Sequence, residues 1–241
     1  MQKEQGLIAI LDALGAANYS EEKIGHFLES RELLLKELRI KAKSIRVDFD
    51  KLSTFTFNDT VLIVYRTHER ATLQDVKGFG ELLRRFAVKS LEHGILFRGS
   101  IAIGQFYLNE ETNTVMGDAV SDAAAWYDRA DWVGIAATPQ ATLLIQSLVE
   151  QAGDNIERLM VDYSVPFKDN ETLDLKAVNW PRAFFVRGMT PCAQGEKKRA
   201  KCLALLSAHG VPRGAEGKHF NTMDFFDKCA TEYRAERRKK D

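Results

Sequence analysis

Residues 52–65 read LSTFTFNDTVLIVY, two runs rich in β-branched and aromatic side chains interrupted only by Asn58-Asp59. Asn and Asp tolerate the backbone angles of a two-residue turn, so the stretch predicts a tight hairpin with Asp59 at its tip. Upstream, residues 7–11 (LIAIL) are wholly apolar and end on Asp12. Such a run fits a central strand buried on both faces, and it places the Asp12 carboxylate at a strand end. Between these strands, Ile24, Phe27, Leu28, Leu34, Leu35 and Leu38 recur at three- and four-residue steps behind Ser20-Glu21-Glu22. That spacing predicts an amphipathic helix over 20–38. A second helix is expected over 72–93, stopped by Gly94, followed by a strand over 95–104.

The order β-α-β-β-α-β predicts an α+β fold with a ferredoxin-like βαββαβ core and helices on one face. In that topology the end of the first strand meets the tip of the central hairpin, so Asp12 and Asp59 are expected as neighbours. Further on, the pattern predicts a helix over 118–130, a strand over 132–137 and a helix over 139–152 capped by Gly153. Residues 154–188 show no clear period. Residues 190–217 mix Pro, Gly and Lys around Leu203, Leu205 and Leu206, and a closing helix with a basic end is expected over 222–240. Without an internal repeat or a low-complexity linker, residues 1–153 are expected to form the core and 154–241 an elaboration packed on the same domain.

The 241 residues are 45% hydrophobic and 28% charged, and 34 Lys plus Arg balance 34 Asp plus Glu. A chain so composed can bury a sizeable core, and no global field draws it to nucleic acid or an anionic membrane. No apolar run approaches the ~20 residues that span a bilayer, and the first residues lack the basic and small-residue pattern of a cleaved leader, so a cytoplasmic location is expected. Cys192, Cys202 and Cys229 carry no CxxC spacing and read as reduced thiols.

Two carboxylates converging from a strand end and a hairpin tip suit Mg²⁺ or Mn²⁺, hard cations that take oxygen ligands and leave positions open for phosphate. Taken singly, Asp12 could cap the following helix and Asp59 could be a turn residue. No GxSxG, HExxH or complete P-loop is present, so chemistry through a protein nucleophile is not indicated.

Four segments, LIAILDALG, TFNDTVLIVY, ILFRGSIAIGQFY and VMGDAVSDAAAW, resemble, in order and spacing, the marker segments of class III nucleotidyl cyclases. The resemblance covers roughly residues 7–145 and makes 1–153 the expected cyclase catalytic core. It implies that Asp12 and Asp59 hold two ions, joined by the backbone carbonyl of Ala13, while a ribose 3′-hydroxyl attacks the α-phosphorus in line. Purine cyclases of this kind carry a Lys and an Asp that read the base where this chain has Phe55 and Thr114. Their transition-state Asn and Arg are replaced by Ser121 and Ala125. Arg98, just inside the strand over 95–104, and Arg129, one helical turn beyond Ala125, are candidate replacement cations.

Loss of the purine-reading pair, with RGSIAIG and GDAV followed by Ser, is similar to the pyrimidine cyclases of Pycsar anti-phage systems. That likeness implies a Mn²⁺-dependent (or Mg²⁺-dependent) enzyme making cyclic UMP from UTP, or cyclic CMP from CTP, sensed by a separate effector protein. It also implies an antiparallel homodimer in which Thr114, Ser121 and Arg129 act across the interface from Asp12, Asp59 and Phe55. Two other readings compete. Lys77-Gly78-Phe79-Gly80 imitates an RNA-binding strand signature, although the residues after it continue with helical spacing. Ser121 and Ala125 would also suit a cyclase-like module that binds nucleotide without turnover.

Overall fold

A computed structural model describes residues 2–16, 20–44, 48–67 and 69–239. In chain order the elements are β1 (Gln2–Ala13), α1 (Glu21–Ser44), β2 (Leu52–Phe57), β3 (Thr60–Thr67), α2 (Leu73–Glu92), β4 (Phe97–Asn109), β5 (Thr114–Met116), α3 (Asp118–Trp126), β6 (Ile135–Ala137), α4 (Pro139–Ala152), β7 (Met160–Pro166), β8 (Thr172–Val178), α5 (Lys198–Leu206) and α6 (Glu216–Arg238). The fold is α+β, and its first four strands follow the expected βαββαβ order.

One sheet runs β2-β3-β1-β4-β6-β8-β7, with β5 paired to the far end of β4. The arrangement β2-β3-β1-β4 is the ferredoxin-like one, with β1 antiparallel to both β3 and β4. β4 and β6 run parallel, so the chain crosses over between them, and β8 then returns antiparallel to β6.

Alternation along β1 sorts its apolar run onto two faces. Leu7, Ala9 and Leu11 join the larger core with residues of α1, α2, α4 and α6, while Ile8 and Ile10 join a small cluster completed by Val64, Ala102, Phe106 and Leu108. Among the described residues, α3 is the helix that covers that second face, through Ala119 and Ala123 with Val120 packed beside them. α2 starts at a capping box in which Thr72 and Asp75 satisfy each other's backbone amides, as its Thr-x-x-Asp spacing allows. Residues 77–80 lie inside this helix with Phe79 turned into the core, which is not the geometry of an RNA-stacking strand.

Several boundaries differ from expectation. β4 continues past Gly104 to Asn109 because Phe106 and Leu108 keep the alternation on the α3 face. The strand expected over 132–137 shrinks to Ile135–Ala137, since Trp132 turns into an aromatic cluster with Tyr163 and Phe225 instead of continuing the ladder. α3 ends at Trp126, short of residue 130, whereas α1 runs on to Ser44. Residues 154–188 hold β7 and β8, which extend the sheet. The closing helix begins at Glu216, six residues earlier than expected, and Lys240 lies outside the described residues. All three cysteines are free, and burial pushes the Cys202 and Cys229 thiols well above their usual range.

Candidate functional site

Asp12 is the penultimate residue of β1, in register with Thr60 at the start of β3 and with Arg98 near the start of β4. Asp59 shares the two-residue turn between β2 and β3 with Asn58, whose φ of 54° is the left-handed conformation that Asn tolerates. The Ala13 N–H donates to the Asp59 carbonyl at 3.2 Å, tying strand end to hairpin tip. From the other side, Arg31 of α1 donates Nη1 to the Asn58 carbonyl at 2.6 Å. The topology therefore brings the two aspartates together.

Arg98 donates Nε and Nη2 to Asp12 Oδ2 at 3.1 and 3.0 Å. Both side chains are largely buried, at 11% and 17% exposure, so this is not a solvated surface pair. Burial raises the Asp12 carboxyl above the usual carboxylate range; the Arg98 bonds and charge oppose that rise, and the charges of Asp59 and Asp128 add to it. Tyr127, just after α3, feels the same surroundings: burial raises its phenol first, followed by the charges of Asp12 and Asp128.

Asp12 lies two residues beyond Ile10, and Arg98 two before Ser100 and four before Ala102, so both point to the face covered by α3. Phe55 packs, half-buried, against the cluster on that same face. α3 runs along β4 with Ala119 beside Gly104 and with the Ala123 carbonyl accepting from the Ser100 hydroxyl at 2.7 Å, which carries its far end toward Arg98.

The remaining sequence candidates lie elsewhere. Thr114 pairs with Asn109 at the far end of β4 and shares a 3.0 Å hydroxyl contact with Thr112. At about 3.3 Å of rise per residue, roughly 35 Å of strand separates that position from Arg98. Ser121 is exposed on the solvent side of α3. Arg129 stacks its guanidinium on Trp126 at 4.5 Å and Phe167 at 5.4 Å and reaches Asp169 at 3.7 Å. Within one chain, then, Asp12, Arg98 and Phe55 share one end of one face, with Asp59 at the hairpin tip beside them; Ala13 turns its side chain into the larger core on the other face, and Thr114 lies at the far end of β4.

Sequence reading did not single out Arg31, Tyr127 or Asp128. Tyr127 and Asp128 follow the helix that carries Ser121, and their place by Asp12 depends on how far that helix runs along β4. Among the described residues, no group of three or more His, Cys, Asp or Glu is gathered as a metal cage. What is present is a two-carboxylate donor set, one member of it raised by burial and by its neighbour's charge. Of the two Asp12 oxygens Arg98 bonds Oδ2, and its Nη1 donates to the Ala130 carbonyl at 3.5 Å. A hard divalent cation fits such a set when phosphate oxygens and water complete its shell.

No protein-family model matches the chain, and no curated protein matches it. Among solved structures, it is similar to the catalytic core of a rhodopsin-guanylyl cyclase with converted specificity in complex with ATPαS, at 14% identity and a TM-score of 0.46 over 73% of this chain and 97% of that one. It is similar to the adenylyl cyclase CyaB from P. aeruginosa at 12% identity and a TM-score of 0.46, over 73% and 94%. The guanylate cyclase domain of RhGC from Catenaria anguillulae in complex with GTP gives 15% identity and a TM-score of 0.44, over 74% and 98%.

Proposed function

We propose that this chain is a pyrimidine nucleotide cyclase of class III type that converts UTP to 3′,5′-cyclic UMP and pyrophosphate, with CTP to cyclic CMP as the alternative substrate and product. The observation that carries the reading is the juxtaposition of Asp12 and Asp59 at one end of the sheet, fixed by the Ala13–Asp59 backbone bond. The four marker segments support it by their order and spacing. In this reading the protein is cytoplasmic and serves antiviral signalling, its product being sensed by a separate effector.

Asp12, Asp59 and the Ala13 carbonyl would hold two ions, Mn²⁺ or Mg²⁺, which when bound supply charge neutralisation for the triphosphate and acidify the ribose 3′-hydroxyl. Asp12 is prepared for that role because its carboxylate is costly where it lies: burial and Asp59 disfavour its charge, and Arg98 offsets only part of that cost. Once Asp12 shares its charge with a cation, the Arg98 guanidinium can turn to phosphate oxygens as a two-pronged donor. Phe55 offers a flat apolar surface to a base where a purine reader has a charged group.

Thr114 cannot meet Asp12 within one chain and Ser121 faces solvent, but a second copy related by a two-fold axis would deliver them to it, and this supports a homodimer with two equivalent sites. Arg129 acts in this scheme only by leaving Asp169, its present partner. The decisive assay mixes the full chain with each of the four ribonucleoside triphosphates and Mn²⁺ and looks for pyrophosphate and cyclic product. Turnover of UTP or CTP is expected, and silence with all four sinks the enzymatic reading. A second reading, nucleotide binding without turnover, draws on the hold of Arg98 on Asp12 together with Ser121 and Ala125. Saturable nucleotide binding without pyrophosphate release would favour it.

A further inference from the structure

A cavity of about 750 Å³ opens between the first turns of α1, the start of β4 and the loop that joins α5 to α6. Its size is that of a small-molecule site. Leu14 and Gly15, which follow directly on Asp12-Ala13, form part of its rim, and Arg98 lies in its wall. It therefore adjoins the aspartate pair while drawing much of its lining from the C-terminal elaboration, which lies beyond the cyclase-like segments.

The lining is electrically lopsided. Lys23, Arg98, Lys168, Arg213 and Lys218 face the cavity against a single carboxylate, Glu22. Three of these cations are held from outside it: Arg98 by Asp12, Lys168 by Asp128 at 3.5 Å and Lys218 by Asp131 at 3.0 Å. Among the described residues Lys23 and Arg213 have no ion-pair partner. The loop carrying Arg213 is nevertheless a built one. The Gly214 N–H donates to Glu216 at 2.7 Å, the Ala215 N–H to the Pro212 carbonyl at 2.9 Å, and both nitrogens of buried His219 face carbonyls, of Ala215 at 2.9 Å and of Leu206 at 3.2 Å. Two unpaired cations on a braced loop and a helix start, flanked by Arg98, form a receptor for a polyanion.

We infer that this cavity takes the polyphosphate tail of the nucleoside triphosphate, and the pyrophosphate that leaves it, with Lys23 and Arg213 as the binding cations. The assignment rests on the cyclase reading for its direction, since Arg98 joins the cavity to Asp12. It gives the C-terminal elaboration a part in the site and supplies positive charge where Ala125 cannot.

The test titrates tripolyphosphate calorimetrically into the full chain in metal-free buffer. Binding is expected, weakened about tenfold in each of Lys23→Ala and Arg213→Ala and unchanged in Arg70→Ala, an exposed cation outside the cavity. Equal affinity in all four proteins overturns the assignment. With the active triphosphate as substrate, tripolyphosphate should inhibit competitively; non-competitive inhibition would mark a separate regulatory site and overturn the tail assignment. Should no triphosphate be turned over while Arg213→Ala still loses tripolyphosphate affinity, the cavity stands as a polyphosphate site and only the cyclase reading falls.

Discussion

Among the described residues, the face of the sheet that carries Leu7, Ala9 and Leu11 lies beneath α1, α2, α4 and α6, whereas the face that carries Ile8 and Ile10 has the nine-residue α3 over it. The thick face holds the aromatic cluster of Trp132, Tyr163, Trp180 and Phe225, which joins the C-terminal helix to the sheet. The thin face holds Asp12, Arg98 and Phe55 at one end, and α3 turns Ser121, Ala124 and Ala125 outward to solvent. Burial on the thick side provides most of the apolar stabilisation. The thin side is the less covered one, and there the Asp12 carboxyl is raised by burial that Arg98 only partly offsets; the proposed ligand and second copy would lie against it.

The sharpest way to break this division is to change the thin face alone. Asp59→Asn removes the proposed charged metal ligand from a partly exposed turn and should abolish the proposed cyclase turnover, a loss beyond about a thousandfold, with circular dichroism unchanged. Near-normal activity would end the assignment. Because Thr114 lies at the far end of β4 from Asp12, a bulky Thr114→Arg chain should also be inactive, yet mixing it with Asp59→Asn chains should recover about a quarter of wild-type activity, from mixed dimers holding one intact site. No recovery after subunit exchange would mean that each chain works alone.

The next effect is on stability and bears on the thick face. Phe225 is fully buried among Trp132, Tyr163 and Trp180, so Phe225→Ala should cost about 3–5 kcal/mol in urea unfolding. Ala123→Leu, which forces a larger side chain between α3 and the sheet, should cost about 1–3 kcal/mol. The reverse order would show that α3 matters more to the fold than its small contact suggests.

The parts legible in the sequence were those where one physical signal dominates. LIAIL is apolar on both faces because both faces are covered, and Asn58-Asp59 marks a turn because few other residues accept its backbone. The thin face was less legible: its cover is a nine-residue helix touching the sheet through Ala119 and Ala123, which hardly differ from the exposed Ala124 and Ala125. β7 and β8 were hidden by charge. Asp162, Asp174 and Lys176 interrupt the apolar alternation, and only the fold shows Lys176 paired with Asp162 at 2.8 Å and Ser164 bonded to Asp174. The cavity beside Asp12 could not be read at all, since Lys23 and Arg213 lie far apart in the chain.

The smallest effect concerns the charge on Asp12. Its carboxyl is raised above the ordinary value, mainly by burial, with Arg98 opposing and Asp59 and Asp128 reinforcing the rise. For an acid raised in the folded state, the native protein holds its proton more tightly than the unfolded chain does. The resulting stability is fully present below the unfolded value of about 3.9 and is lost as pH rises through the higher folded value. In metal-free protein at neutral pH the ionised Asp12 is therefore a net burden, and Asp12→Asn, which keeps the shape and removes the charge, should melt higher than wild type. That gap should close as pH falls toward 4 and wild-type Asp12 becomes neutral. Mn²⁺ should reverse the order by raising the melting temperature of wild type and not of the variant, because only the wild-type pair can share its charge with the cation. A gap that widens on acidification would mean that the Arg98 bond outweighs the burial, and that the thin face needs no ligand to be at ease.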